Sequence, residues 1–183
     1  MAPRVLVAGI GNLFLGDDGF GPEVVRRLAA VPLAPGVIVT DYGIRGMHLA
    51  FDLLAGYDAL VLVDALPAAG SPGDVVVLEV GPDDLGPGEF DAHGMNPVAV
   101  LAGLTRLGGT VPPTYVVGFR TADVDEGIGL SPAATAAVPA VIAAVRALLT
   151  RIVTDQRRRR SGSPRRPKDQ APVAAQPATS RRN

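Results

Sequence analysis

The sequence predicts a layered α/β fold with a mostly parallel sheet, and three observations predict it. Strand-like and helix-like stretches alternate along the chain. The strand-like stretches are short and apolar throughout, which suits strands covered on both faces. One connection, residues 65–73, has only nine residues rich in Pro, Gly and Ala. That is short for a parallel crossover, which needs about a dozen or more, so the strand after it, the fourth, is expected to run antiparallel to the rest.

The elements follow in order. Arg4 to Gly9 is a short apolar run and reads as the first strand. A Gly-rich loop from Ile10 to Gly19 follows, and Pro22 opens a helix to about Ala30, at an early position where the missing N–H costs little. Val37 to Tyr42 is a second strand, and Gly46 to Leu54 a second helix with Met47, Leu49, Ala50, Leu53 and Leu54 at helical spacing. Asp58 to Asp64 is the clearest buried strand, and Asp74 to Val80 is the fourth. Asn96-Pro97 has the form of an N-cap followed by Pro at N1 and starts a helix that Gly108-Gly109 stops. Tyr115 to Phe119 is a fifth strand. Ser131-Pro132 repeats the cap signal, and the last helix puts Val138, Val141, Ile142, Val145, Leu148, Leu149 and Ile152 on one stripe. Pro139 is expected to kink this helix or mark its true start.

Charge is unevenly spread. Residues 155–183 hold nine basic and two acidic side chains, net +7, which leaves eight basic and sixteen acidic in residues 1–154, net −8. The expected organisation is one domain over 1–154 and a basic tail over 155–183, disordered from about Arg157 because it lacks an apolar face to bury. The acidic body argues against nucleic acid as its main ligand. With no cysteine, disulfide scaffolds, thiolate metal sites and cysteine nucleophiles are excluded. Absent cysteine also fits a cytoplasmic setting. Neither a signal peptide nor a membrane span is expected.

Ligands of open α/β sheets bind outside the carboxyl ends of the parallel strands. Three segments should meet there: Gly9 to Gly21, Asp64 to Pro67, and Asp91 to Asn96. The first fails as a dinucleotide loop, because bulky Phe14 stands where close backbone approach is required, and it lacks the Lys-Ser/Thr of a phosphate loop. It carries Asp17 and Asp18, which either bind a cation or cap the helix that follows. Asp64 ends an apolar strand, where a carboxylate is costly unless paired, metal-bound or satisfied by loop N–H groups. Asp58 lies at the opposite edge and reads as structural; His48 reads as surface. His93 is expected at the same edge as Asp18 and Asp64. Two carboxylates and one imidazole leave coordination positions open, the pattern of a working metal site.

The chain resembles the hydrogenase maturation proteases. The resemblance is carried by Gly9-Ile-Gly-Asn12 with Gly16-Asp-Asp-Gly-Phe-Gly21, Asp41-Tyr-Gly with Gly46-Met47, Val61-Leu-Val-Asp64-Ala65, His93, and Gly127-Ile-Gly-Leu-Ser-Pro132. It spans about residues 4–150. It implies a twisted five-stranded α/β/α sandwich with strand four antiparallel. It also implies an endopeptidase that removes the C-terminal extension of the nickel–iron hydrogenase large-subunit precursor after nickel insertion. The implied metal ligands are Asp18, Asp64 and His93, the nickel being carried by the precursor, with Asp41 a candidate general base or positioning group. Tyr42 stands where family members often have Gly, and would narrow the cleft. A nickel-binding chaperone using the same triad without cleavage, and a nucleotide-binding module using the Gly-rich loop, are the alternatives.

Overall fold

The structure is a computed structural model and describes residues 2–67, 73–81, 97–121 and 124–162. Five strands, β1 (Val5–Ile10), β2 (Val37–Gly43), β3 (Ala59–Pro67), β4 (Val75–Val80) and β5 (Thr114–Thr121), form one sheet in the order β2-β1-β3-β5-β4. β1 pairs in parallel with β2 and β3, and β3 with β5. β4 pairs antiparallel with β5, as the short connection before it requires.

Four helices cover the sheet: α1 (Phe20–Leu28), α2 (Gly46–Leu53), α3 (Pro97–Arg106) and α4 (Pro132–Arg160). The pleat divides the core. Val5 and Val7 of β1, with Val61 and Val63 of β3, point into a layer closed by α1 and α4. Leu6, Ala8 and Ile10, with Leu60 and Leu62, point the other way, against α2 and α3. All six residues of β1 are buried, so the uninterrupted apolar pattern is what two covered faces demand.

α1 starts at Phe20, two residues before Pro22, because a 3₁₀ turn over Gly16–Gly19 feeds straight into it. Pro22 still lies in the first turn, where its missing N–H is not needed. Glycine lets this helix approach the sheet backbone to backbone. A Cβ on Gly21 would fall on the carbonyl oxygens of both Ile10 and Val63. A Cβ on Gly9 would strike Val25 and sit 2.7 Å from the Gly21 oxygen.

α4 departs from expectation at its far end. It passes through Pro139 as one element and continues through Arg157–Arg160, where disorder was expected. Apolar periodicity stops at Val153, but polar bonds carry the helix on: Gln156 Nε2 donates to the Asp58 carbonyl (3.1 Å) and Arg160 pairs with the Asp58 carboxylate (2.7 Å). Four arginines in the last turn also suit the negative end of the helix dipole. The boundary expected at 154 therefore falls inside a helix; residues 163–183 of the expected tail lie outside the described residues. By length and composition α4 could cross a membrane, but its stripe of Val138, Val141, Val145, Leu148 and Ile152 is buried in the core.

Gly21→Ala is expected to cost about 3 kcal/mol or more, since its neighbours are fixed backbone. Gly127→Ala, with nothing within 4 Å of the added Cβ, should cost under about 0.5 kcal/mol. Urea melts of the two variants check this. A chain ended at Gly162 should keep full stability, whereas one ended at Thr154 loses the Asp58 contacts and about 1 kcal/mol.

Candidate active site

The chain places β2 on one side of β1 and β3 on the other. The crevice outside the carboxyl ends of β1 and β3 is thus a topological switch point, where open α/β sheets bind ligands. Asp64 stands there, one residue beyond Val63, the last β3 residue paired with β1. Asp18 stands there too, on the turn between β1 and α1.

Asp17 and Asp18 divide into two roles. Asp17 is 2 % exposed, and both its oxygens are taken. Oδ2 accepts from the Thr121 hydroxyl (2.8 Å) and the Ser131 hydroxyl (2.9 Å), and Oδ1 accepts from the Ser131 N–H (2.7 Å). A carboxylate so enclosed is unavailable to a cation. Asp18 is only partly buried and takes one hydrogen bond among the described residues, from the Asn12 N–H to Oδ2 at 2.6 Å. Gly11 makes room for it: φ is +131°, and a Cβ there would fall on the Asp18 carbonyl oxygen.

Asp64 is raised from the ordinary carboxylate range to about 8. Burial is the main cause, the negative charge of Asp18 adds to it, and the Ala65 N–H opposes it. A carboxylate whose charge is disfavoured by burial and by a neighbouring carboxylate gives, together with that neighbour, an oxygen donor set suited to a divalent cation. His93, expected as the third ligand, lies outside the described residues, as does the whole 91–96 segment. Among the described residues, no three His, Asp or Glu side chains gather at one point.

Asp41 is exposed at the carboxyl end of β2, with Oδ1 accepting from the Gly43 N–H (2.8 Å). It lines a cleft of about 220 Å³ between α1 and β2, together with Leu13, Pro22, Val25 and Val39. Tyr42 does not narrow this cleft. It is buried in the α2–α3 layer, and its hydroxyl donates to Asp52 at 2.7 Å. Strand alternation explains this: Asp41 faces α1, so Tyr42 must face α2. His48 is exposed, and Asp58 accepts from the Arg4 N–H (2.7 Å) at the opposite edge; both are as expected.

The family model for hydrogenase maturation proteases matches residues 22–148. The chain belongs to the hydrogenase maturation protease family. It is 30% identical over 152 residues to the hydrogenase expression/formation protein HupD of Rhizobium leguminosarum bv. viciae, covering 80% of this chain and 75% of that one. It is 29% identical to the hydrogenase 2 maturation protease of Escherichia coli K12, covering 80% and 90%. The solved hydrogenase maturating endopeptidase HybD of E. coli superposes with a TM-score of 0.67 at 27% identity, over 87% of this chain and 94% of that one. The hydrogenase 2 maturation peptidase of a Thaumarchaeota archaeon gives 0.62 at 28% identity, over 80% and 98%. The layered sheet with its antiparallel β4 is thus that of a hydrogenase maturation protease.

Asn12, Thr121, Ser131 and Gly127 hold the loop that carries Asp17 and Asp18, yet none stood out as a site residue in the sequence. Ser131 showed only its local signal, the N-cap, and it does accept from Ala134 N at 3.1 Å. Its bonds to Asp17 join residues 114 apart, beyond any local pattern.

A raised acid pKa fixes the sign of a stability effect. Folding holds the Asp64 proton to about 8, so this group erodes stability as pH rises from about 4 to about 8, and no further above that. Asp64→Asn should therefore stabilise the metal-free protein by about 0.5–2 kcal/mol at pH 9 and hardly at all near pH 4. Urea melts in chelator at both pH values measure this; an equal shift at each would contradict it.

Proposed function

We propose that this protein is a metal-assisted endopeptidase that removes the C-terminal extension of a nickel–iron hydrogenase large-subunit precursor once nickel has been inserted. The observation that carries the reading is the Asp18–Asp64 carboxylate pair at the switch point between β1 and β3. Family membership supplies the reaction class and the kind of substrate. The absence of cysteine agrees with a cytoplasmic setting.

In this proposal Asp18, Asp64 and His93 receive the nickel that the precursor carries. That nickel is part of the substrate, and when seated it supplies Lewis acidity at the scissile carbonyl. The chain's own groups do the rest. Asp64 loses its proton as the cation arrives, because a positive charge beside it offsets the burial cost and the Asp18 repulsion that raise its pKa. Asn12 N–H holds one Asp18 oxygen, Oδ2. Asp41 is assigned to take a proton from the attacking water or to hold the peptide in the α1–β2 cleft. Water adds to the carbonyl carbon, the C–N bond breaks, and the departing amine takes the proton.

The test is intact mass after incubation with a precursor prepared with and without nickel. Cleavage is expected only of the nickel-loaded precursor. His93→Ala should abolish it, with the melting temperature unchanged. Activity should also fall as pH drops through the imidazole range near ~6.5, because only neutral His93 can ligate. Cleavage of nickel-free precursor by a zinc-reconstituted protease, lost when the protease alone is stripped, would instead make this a resident-metal peptidase.

A further inference from the structure

We propose that Asp17 is a positioning residue: it holds Asp18 against Asp64 by tying the loop after β1 to the end of β5 and the first turn of α4. The proposal rests on the site reading above. Three donors, the Thr121 hydroxyl, the Ser131 hydroxyl and the Ser131 N–H, all within 2.7–2.9 Å, fix both the place and the plane of the Asp17 carboxylate. Enclosing a charge this fully is costly unless it is well paired.

The geometry points beyond packing. Asp17 and Asp18 are successive residues of a single 3₁₀ turn, Gly16–Gly19, so fixing one orients the other. The same loop is fastened a second time to the β5–α4 connection: Gly16 N–H donates to the Gly127 carbonyl and Gly127 N–H to the Phe14 carbonyl, both at 2.9 Å. Asn12 N–H in addition grips Asp18 Oδ2. Asp18 is therefore held between two clamps. One is local, and the other is borrowed from residues more than a hundred positions away. Since β3 is paired with β5 through Asp64 and Gly118, Asp17 binds its neighbour to the same strand that flanks Asp64.

The test compares Asp17→Asn, Thr121→Val and Thr121→Ser with the wild type. Nickel affinity is measured by titration calorimetry at pH 8.5 and 25 °C, and kcat and KM for nickel-loaded precursor at the same temperature. Circular dichroism establishes which variants are folded. Residues behind a metal ligand typically change affinity or activity by about 10–100-fold. Asp17→Asn is expected to weaken nickel binding and lower kcat by about tenfold or more, with KM within about twofold. Thr121→Val should do the same to a smaller degree, and Thr121→Ser, which keeps the hydroxyl, should restore both. Folded Asp17→Asn and Thr121→Val with wild-type nickel affinity and kcat would overturn the proposal, whatever their melting temperatures. If Asp17→Asn does not fold, the Val and Ser variants at Thr121 decide. A wild type that cleaves precursor but binds no nickel would count against the triad, and the kcat comparison would then judge Asp17 alone. A wild type that does neither overturns both readings.

Discussion

The crevice exists because α1 can press its first turn onto the ends of β1 and β3. Gly21 lies against the carbonyls of Ile10 and Val63, with Gly9 below it against Val25. Any side chain at Gly21 would lever the helix away from the sheet, and the 3₁₀ turn ahead of it would move too. Asp18 sits on that turn and Asp64 follows Val63 directly. One close backbone approach thus sets the separation of two carboxylates, one from the turn after β1 and one from β3. The Gly-x-Gly of this loop looks like a nucleotide fingerprint, but its glycines are consumed by internal packing. Exposed Phe14 occupies the place where a phosphate would need bare backbone.

The strands were legible because burial on both faces leaves a simple mark. Val5–Ile10 and the run before Asp64 are apolar without alternation, and both are central in the sheet. The direction of β4 was legible from connection length alone. The last turn of α4 was not, since it is held by Gln156 and Arg160 reaching Asp58, 98 and 102 residues away. The site was half legible for the same reason. Asp64 announced itself as a carboxylate closing an apolar run. The choice between Asp17 and Asp18 depended on Thr121 and Ser131, whose approach no local spacing encodes. Tyr42 was misjudged because the family comparison marks a position, whereas the strand decides which face it takes.

Electrostatically the crevice is an unfinished arrangement. Buried acids are ordinarily paired with a base or saturated with hydrogen bonds, and Asp17 obeys that rule. Asp64 is held differently: burial and the nearby Asp18 favour its proton against the opposing Ala65 N–H. The two acids are close in space and opposite in design. One is saturated by three donors, and the other sits where burial and Asp18 disfavour its charge, which a cation would relieve. Such contrast within one loop and one strand end is a physical mark of a site separate from that of a scaffold.

α4 joins the two ends of the molecule. It begins at Ser131, bonded to Asp17 beside the crevice, and ends at Arg160, clamped on Asp58 at the other edge of the sheet. Its 29 residues span roughly 43 Å. A tether or fluorescent fusion joined after Gly162 would thus leave from the pole remote from Asp18. Surfaces coated through that point would present the crevice outward, a natural orientation for single-molecule work on a bulky protein substrate.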